Sequence, residues 1–145
     1  MAGPLYHYTQ VQHYRRDHML RVLVADDSGA LRERIIRMLS TIQNTGVVGV
    51  ASDGVEAIEE INDLKPDLVI LDLQMPRMGG IDILPAIKAV RPSPLVMVLT
   101  NYATYRHREV STKLGADYFF DKSTEFDKAI EVIESLTDFY TLSSS

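Results

Sequence analysis

The chain has 145 residues and no cysteine. A disulfide framework, a thiolate metal site and a cysteine nucleophile are therefore excluded, and the absence suits a reducing compartment. Hydrophobic runs are short, as in LVIL and LVMVL, and none approaches the roughly 18 residues of a membrane span. The first 20 residues lack the apolar stretch that a secretory signal needs. We therefore expect a soluble, cytoplasmic protein that has no membrane partner.

Positive charge is also scarce, since 15 lysines and arginines stand against 20 acidic residues, for a net charge of −5. This balance disfavours a nucleic-acid binder that works through bulk positive charge. Hydrophobic residues make up 46% of the chain, which is enough to fill a core. The length is typical of one domain. The composition thus indicates a single globular domain with no nucleic-acid partner.

Five short apolar runs, rich in valine, leucine and isoleucine, alternate with segments of helical spacing. The runs lie at residues 21–25, 47–51, 67–71, 95–99 and 117–120. Such continuous runs are typical of parallel strands covered on both faces. The helices are expected at about 28–42, 55–64, 81–90, 103–114 and 124–138. The alternation predicts an α/β fold, a doubly wound, flavodoxin-like five-stranded parallel sheet of order 2-1-3-4-5.

Local residues predict where several helices begin and end. Ser28 is the expected N-cap of the first helix. Pro66 and Gly115 are expected just after the second and fourth helices. Pro85 falls inside the third, so it is expected either to kink that helix or to mark a shorter one.

The domain is predicted over residues 21–138. Residues 1–20 are expected to form an N-terminal extension, interpreted as a flexible tail in preference to a docking arm, and Met19 is an alternative start. Residues 139–145 are expected to form a C-terminal tail.

Five polar residues follow four of the predicted strands. Asp26 and Asp27 end the first strand, Asp72 the third and Thr100 the fourth, and Lys122 follows the fifth. In the predicted strand order the ligand crevice lies at the carboxyl ends, between the first and third strands. Each residue taken alone also fits a turn, a cap or a solvated surface. Together they predict a site in which three carboxylates meet.

Clustered carboxylates repel one another, and a divalent cation relieves that repulsion. Hard oxygen ligands without histidine or cysteine favour Mg²⁺. The ion and the ammonium of Lys122 would frame a site for a dianionic group, to which Thr100 can donate a hydrogen bond. The pattern predicts phosphoryl transfer, with Asp72 as the best candidate for a nucleophile that becomes an aspartyl phosphate.

The motifs VADDS, LDLQMPRMGG, VLTNY and FFDKS occur in this order. On these residues the chain resembles the receiver domain of two-component response regulators, over about residues 21–138. The resemblance implies that Asp72 is the phosphoacceptor and takes its phosphoryl group from a histidine kinase or a phosphotransfer protein. It also implies that Asp26 and Asp27 hold Mg²⁺, Asp27 more directly, with the backbone carbonyl of Gln74 as a further ligand.

The resemblance also implies a conformational switch. Lys122 would contact the phosphoryl group, Thr100 would be the switch hydroxyl, and Phe119 would be its aromatic partner. A phosphoryl group adds charge and acceptor oxygens. Thr100 would then be drawn inward, the ring of Phe119 would fill the vacated space, and the surface of helix four, strand five and helix five would shift toward an active state. Because Phe119 lacks the hydroxyl of a tyrosine, its signal must act through packing alone; its alternative role is that of a core aromatic.

Several residues depart from the family's usual pattern or stand at positions where the family varies the phosphoryl lifetime. Asn101 stands where a small residue is usual, so it either crowds the site or adds a hydrogen bond. Ser123 stands where the family usually has a proline, often after a cis bond. Because a cis bond before a residue other than proline is costly, the bond from Lys122 to Ser123 is expected either to be trans, with a shifted loop, or to be strained. Asp121 is expected to pair with the lysine that follows it. Gln74 and Tyr102 hold the positions that tune phosphoryl lifetime, and the bulk of Tyr102 predicts slow self-dephosphorylation.

No output domain is visible after residue 138, which predicts a stand-alone regulator that signals by contact with an unidentified protein target. The fourth helix carries a basic, aromatic run interpreted as a solvated face in preference to a docking surface: Tyr105, Arg106, His107 and Arg108. We expect a monomer or weak homodimer that catalyses only its own phosphorylation and dephosphorylation. Two alternatives stay open: a receiver-like scaffold that acts without phosphorylation, and a metal-dependent phosphohydrolase with an aspartate nucleophile.

Overall fold

In the computed structural model, which describes residues 19–144, five strands alternate with five helices. The strands are β1 (Leu20–Ala25), β2 (Thr45–Ala51), β3 (Leu68–Leu71), β4 (Leu95–Thr100) and β5 (Tyr118–Asp121). The helices are α1 (Gly29–Leu39), α2 (Gly54–Leu64), α3 (Gly80–Lys88), α4 (Tyr105–Lys113) and α5 (Phe126–Ser144). All strand pairings are parallel, and the order β2-β1-β3-β4-β5 confirms the predicted doubly wound sheet.

Both faces of the sheet are covered, which is why its strands read as continuous apolar runs. Side chains such as Leu23 and Val69 lie in one core with residues of α2 and α3. Their neighbours Val22 and Ile70 lie in a second core, with residues of α1 and α5. Because successive side chains of a strand point to opposite faces, each strand contributes to both cores. The two cores fix the sheet and hold the carboxyl ends of its strands at one edge.

The ends of several helices follow the predicted local signals. The hydroxyl of Ser28 accepts a hydrogen bond from the amide of Leu31 at 3.3 Å, which confirms Ser28 as the N-cap of α1. After α2, Lys65 adopts the left-handed conformation with φ near 50° and Pro66 follows. Gly115, with φ of 110°, follows α4 and allows the chain to turn there.

Three predicted C-terminal helix ends are wrong. The first helix was expected to reach residue 42 but ends at Leu39. The third helix was expected to reach residue 90 but ends at Lys88, with Pro85 inside it. The helix is thus shorter than predicted, but Pro85 does not itself end it, because the amide of Ala89 still donates to the carbonyl of Pro85 at 3.1 Å. The last helix was expected to end at Asp138 but continues to Ser144. No glycine or proline lies between these two residues to stop it.

The start of the domain also differs slightly from the prediction. Leu20, assigned to the N-terminal extension, is the first residue of β1 and is fully buried. Residues 1–18 lie outside the described part of the chain, so the predicted extension remains a prediction there. Among the helices within residues 19–144, none combines the length and the hydrophobicity that crossing a membrane requires.

Candidate functional site

Three carboxylates from two neighbouring strands meet at the carboxyl edge of the sheet. Asp26 and Asp27 follow β1 and Asp72 follows β3, and one oxygen from each lies within 4.8 Å of the other two. The register causes this proximity, because Ala25 lies opposite Leu71 in the β1–β3 pairing. The amide of Asp72 donates to the carbonyl of Ala25 at 2.9 Å and joins the two strand ends. The predicted acid cluster is therefore assembled by the strand pairing.

The burial and chemistry of this cluster fit a magnesium ion. Asp26 is 2% exposed and Asp72 is 6% exposed, whereas Asp27 is exposed to solvent. Three hard oxygen donors without a histidine or a thiolate are a set that Mg²⁺ prefers, with water completing its shell. The side chains present therefore fit the predicted ion.

Lys122 lies between the two buried carboxylates. Its Nζ atom is 2.6 Å from Asp26 Oδ2 and 3.2 Å from Asp72 Oδ2, and the residue is only 8% exposed. A buried ammonium beside two carboxylates offsets much of their mutual repulsion. The backbone amide of Lys122 donates to the carbonyl of Thr100 at 3.0 Å, so the strand ends of β4 and β5 hold the lysine in place.

Thr100 and Gln74 satisfy the other oxygen of the Asp72 carboxylate. The fully buried hydroxyl of Thr100 donates to Asp72 Oδ1 at 3.0 Å, and the amide of Gln74 donates to the same atom at 3.3 Å. The hydroxyl of Thr100 in turn accepts a hydrogen bond from the amide of Tyr102 at 3.1 Å. Asp72 is thus contacted by residues that the sequence singled out on the loop after β3 and at the ends of β4 and β5.

The carboxyl group of Asp72 carries an unfavourable charge in the folded protein. Burial raises the pKa of Asp72 above its ordinary value of 3.8, and the neighbouring Asp26 charge raises it further, against a lowering by Lys122. A carboxyl whose pKa is raised in the folded state binds its proton more tightly there than in the unfolded chain. Its contribution to stability therefore falls as the pH rises from about the unfolded pKa through the higher folded pKa.

Asp72→Asn is therefore expected to stabilise the metal-free protein at neutral pH, raising the Tm by roughly 2–5 °C. Asparagine keeps the shape of the side chain and removes the buried charge. The gain should shrink as the pH falls and vanish below the ordinary pKa of 3.8, where the wild-type carboxyl is protonated in both states. Thermal unfolding in EDTA across pH 3.5–8 measures it, with Asp82→Asn, at an exposed aspartate outside the cluster, as the control. A lower Tm for Asp72→Asn at pH 7 would contradict the expectation.

Two further contacts hold Asp26 in place. The amide of Ser28 donates to Asp26 Oδ1 at 2.9 Å, and Nη1 of Arg32 donates to the Asp26 carbonyl at 2.6 Å. Arg32 was not predicted to be part of the site. The only indication in the sequence is that Arg32 lies in the first turn of the helix that follows Asp26 and Asp27.

An ion pair that sequence reasoning missed holds the loop after β3. Nη2 of Arg77 lies 3.0 Å from both carboxylate oxygens of Asp53, the N-cap of α2. Arg77 has φ of 67°, a left-handed conformation that is uncommon for a residue with a side chain. The hydrogen bond from the backbone amide of Glu56 lowers the pKa of Asp53, burial opposes this, and the guanidinium of Arg77 lowers the pKa further. Only the glycine and proline of the motif indicated a forced turn here.

The residues next to Lys122 differ in part from their predicted roles. Asp121 was expected to pair with Lys122, and this is wrong: its carboxylate accepts hydrogen bonds from the amide of Ser123 at 2.8 Å and from the Ser123 hydroxyl at 2.6 Å. Lys122 instead points its ammonium at the acid cluster, where the attraction is stronger because the site is buried. Among the described residues the cis peptide bond precedes Pro92, so the bond from Lys122 to Ser123 is trans.

The remaining predicted residues surround the cluster at different depths. Phe119 is 6% exposed and belongs to the core that α2 and α3 cover. Tyr102 is 45% exposed, and its ring meets that of His107 edge-on with centroids 6.2 Å apart. Asn101 is exposed. The roles proposed for these residues in switching and in phosphoryl lifetime remain predictions.

Known proteins share this fold. The model of the response regulator receiver domain family matches residues 22–134 of the chain. The chain belongs to this family. Its membership confirms the predicted resemblance and places it in two-component signalling.

Individual relatives show how much of a longer protein this receiver domain spans. The chain is 43% identical over 107 residues to protein-glutamate methylesterase/protein-glutamine glutaminase 1 of Methanospirillum hungatei, covering 72% of this chain and 31% of that protein. The response regulator domain of Thermotoga maritima CheB superposes with a TM-score of 0.73 and 28% identity, over 85% of this chain and 96% of that one. The signal receiver domain of the response regulator NarL from Mycobacterium tuberculosis superposes with a TM-score of 0.75 and 28% identity, over 83% of this chain and 97% of that one. The receiver domain thus spans about a third or less of the curated relatives it matches.

Proposed function

We propose that this receiver domain is a phosphorylation-dependent signalling module in which Asp72 accepts a phosphoryl group from a histidine kinase or a phosphotransfer protein. One observation carries the proposal: the Asp72 carboxylate accepts hydrogen bonds from an ammonium and a hydroxyl and lies within 4.8 Å of two other carboxylates at one sheet edge. An arrangement made only for stability would gain little from a buried acid whose charge is unfavourable. A phosphoryl group needs such positioning and charge neutralisation.

Mg²⁺ would be held by Asp26, Asp27 and Asp72, together with the backbone carbonyl of Gln74. When bound, the ion supplies positive charge that neutralises the oxygens of the incoming group. The oxygens of the cluster lie within 4.8 Å of one another, which supports shared coordination. The same positive charge would favour the ionised form of Asp72, which is the nucleophilic form.

The transfer itself requires little covalent chemistry from the protein. A carboxylate oxygen of Asp72 would form a bond to phosphorus while the bond from phosphorus to the donor nitrogen breaks, and the donor imidazole leaves with that electron pair. Lys122 would neutralise one phosphoryl oxygen and Thr100 would donate a hydrogen bond to another. The product is an acyl phosphate on Asp72, and attack by water later returns the carboxylate.

The resulting switch would involve small movements near β4 and β5. The hydroxyl of Thr100 already lies 3.0 Å from Asp72, and the ring of Phe119 is already buried. We therefore expect Thr100 to exchange a carboxylate oxygen for a phosphoryl oxygen while Phe119 stays packed beneath it. The outcome would be a shift in population of the surface formed by α4, β5 and α5, which a protein target reads.

Binding of beryllofluoride, a phosphoryl mimic, tests the proposal. The wild-type chain should bind it saturably and only with Mg²⁺, and Asp72→Asn should abolish binding, as measured by ¹⁹F NMR of the bound fluorides. The matched control is Asp82→Asn, because Asp82 is an exposed aspartate in the first turn of α3. This variant should bind beryllofluoride as wild type does. Absence of Mg²⁺-dependent binding by wild type would favour the scaffold hypothesis. Turnover of an external phosphoester such as p-nitrophenyl phosphate would favour the phosphohydrolase.

Tyr102→Ala is expected to shorten the lifetime of the acyl phosphate several-fold, because removing a bulky ring next to the site opens it to water. The expected loss of radiolabelled phosphate is slow in wild type and faster in the variant. Tyr105→Ala is the matched control, since Tyr105 is 79% exposed and lies three residues further along the chain, at the start of α4. Equal or slower loss from Tyr102→Ala would show that its ring does not shield Asp72.

The proposal covers the receiver domain alone. The methylesterase and glutaminase activities in the names of the relatives belong to proteins about three times as long as the matched segment. We propose that this segment has no enzymatic activity beyond its own phosphorylation and dephosphorylation, and that it acts in the cytoplasm as a monomer or weak homodimer.

A further inference from the structure

One arginine on α4 makes three contacts with β5 and with the turn that follows it. The guanidinium carbon of Arg108 lies 4.7 Å from the centroid of the Phe119 ring. Its Nη1 donates to the carbonyl of Phe119 at 3.0 Å, and its Nη2 lies 3.5 Å from Glu125 Oε1. A planar guanidinium can stack, donate and pair at once, whereas a lysine ammonium cannot. We call Arg108, Phe119 and Glu125 the arginine clasp.

The clasp continues into the turn that carries Lys122. Glu125 Oε1 accepts a hydrogen bond from the amide of Asp121 at 3.0 Å, which holds the end of β5. The next residue, Lys122, donates its amide to the carbonyl of Thr100 and its ammonium to Asp72. A series of direct contacts therefore joins Arg108 on the surface to the phosphoacceptor.

Helix α4 has few other attachments to the sheet. Its buried residue is Ser111, whose hydroxyl has no hydrogen-bond partner among the described residues. A helix that buries so little apolar surface gains little stability from packing. The contacts of Arg108 therefore supplement the limited apolar packing of α4, to which Leu114 at its C-cap contributes.

We propose that Arg108 is a positioning residue, which through the clasp keeps the Phe119 ring packed inward and Lys122 aimed at Asp72 before any phosphoryl group arrives. The inference rests on the proposed function, because Lys122 and Phe119 take their roles from it. Loss of the clasp lowers the fraction of molecules in the binding-competent arrangement, and the apparent affinity for a phosphoryl mimic falls by that fraction.

Arg108→Ala and Arg108→Lys test the clasp against a matched control elsewhere in the chain. Arg34 of α1 stacks over the ring of Phe126 with 4.2 Å to the centroid, so Arg34→Ala removes a contact of the same type away from β5. Arg108→Ala should raise the apparent Kd for beryllofluoride in saturating Mg²⁺ by about three- to tenfold. The apparent Kd of Arg108→Lys should lie between those of Arg108→Ala and wild type. The apparent Kd of Arg34→Ala should equal that of wild type.

A second readout follows the ring without any phosphoryl mimic. Fluorophenylalanine labelling gives a ¹⁹F NMR signal for Phe119, assigned with Phe119→Leu. In Arg108→Ala this signal should shift or broaden, and in Arg34→Ala it should not. Urea unfolding of both arginine variants checks that each folds, so that a change confined to Arg108→Ala cannot be ascribed to general destabilisation.

The two readouts separate failure of the clasp from failure of the proposed function. An unchanged Phe119 signal and an unchanged affinity in Arg108→Ala would overturn the clasp, as would equal effects of Arg34→Ala. Wild-type protein that does not bind beryllofluoride would overturn the proposed function, while a shifted Phe119 signal in Arg108→Ala would still support the contact between α4 and β5.

Discussion

Lys122→Met should change the affinities for two ligands in opposite directions. Affinity for Mg²⁺ should rise by about three- to tenfold, because the ammonium that competes for the Asp26 and Asp72 carboxylates is gone. Affinity for beryllofluoride should fall by about a hundredfold, because the mimic loses a preorganised charged donor. A residue that only stabilised the fold would not produce opposite effects on the two ligands.

The contacts of Lys122 give the physical reason for this pair of effects. Its ammonium lies 2.6 Å from Asp26 and 3.2 Å from Asp72, between carboxylates that the proposed Mg²⁺ would also need. Methionine has a similar length and can fill the buried volume without a charge. Without Mg²⁺ the variant should lose about 2–4 kcal/mol of unfolding free energy, because two buried carboxylates then lack their partner.

Calorimetric titration with Mg²⁺, followed by titration with beryllofluoride at saturating Mg²⁺, measures both effects. The control is Lys113→Met, which makes the same charge change at the exposed end of α4. It should alter neither affinity by more than about twofold, since exposed charges are largely screened. Weaker Mg²⁺ binding in Lys122→Met would show that the ammonium supports the metal site instead of competing with it.

Gly54→Ala is expected to destabilise the fold by about 2–4 kcal/mol. Gly54 opens α2, and the loop that follows Asp72 passes directly over it. An added Cβ would collide with the carbonyl oxygen of Met78 and would lie 2.6 Å from its Cβ. The collision is with backbone, which cannot rotate away as a flexible side chain would.

This substitution should also affect the site. The amide of Gly54 donates to the carbonyl of Pro76 at 3.3 Å, within the loop that carries Gln74. Displacing that loop should weaken binding of Mg²⁺ and beryllofluoride in the fraction that remains folded. Urea unfolding monitored by circular dichroism gives the loss of stability directly.

Gly29→Ala supplies the matched control for the same chemical change. Gly29 is the first residue of α1, and its added Cβ would meet only the end of the flexible Arg32 side chain at 3.7 Å. Because alanine favours helix over glycine, this variant should be as stable as wild type or more stable by up to about 1 kcal/mol. Equal stability of the two variants would contradict the close approach seen at Gly54.

The sheet and the acid cluster could be predicted because short-range patterns specify them. Apolar runs separated by helical spacing predict strands and helices, and the rule for parallel crossovers predicts the strand order. Once that order is assumed, Asp26 and Asp72 must share an edge, and the 4.8 Å cluster confirms it. Helix ends were less predictable, because nothing local stopped α5 at Asp138 or carried α3 beyond Lys88.

Long-range charge pairing was not predictable in the same way. Arg77 meets Asp53 across 24 residues, and Arg108 stacks on a ring 11 residues further on, although it was interpreted as part of a solvated face. Such contacts depend on where whole elements lie in space. No spacing rule in the chain selects one partner from several candidate charges.

The sequence by itself determined the parallel sheet, the family and the residue types at its carboxyl edge, because periodicity and strand order follow from local chemistry. Only the tertiary structure decided which charges meet. Lys122 has a carboxylate next to it in Asp121 but reaches Asp26 and Asp72 instead, because those groups are buried at the edge where the ends of β1, β3 and β5 converge. An ion pair is set by distance and burial in the folded chain, and neither quantity is written in the order of the residues.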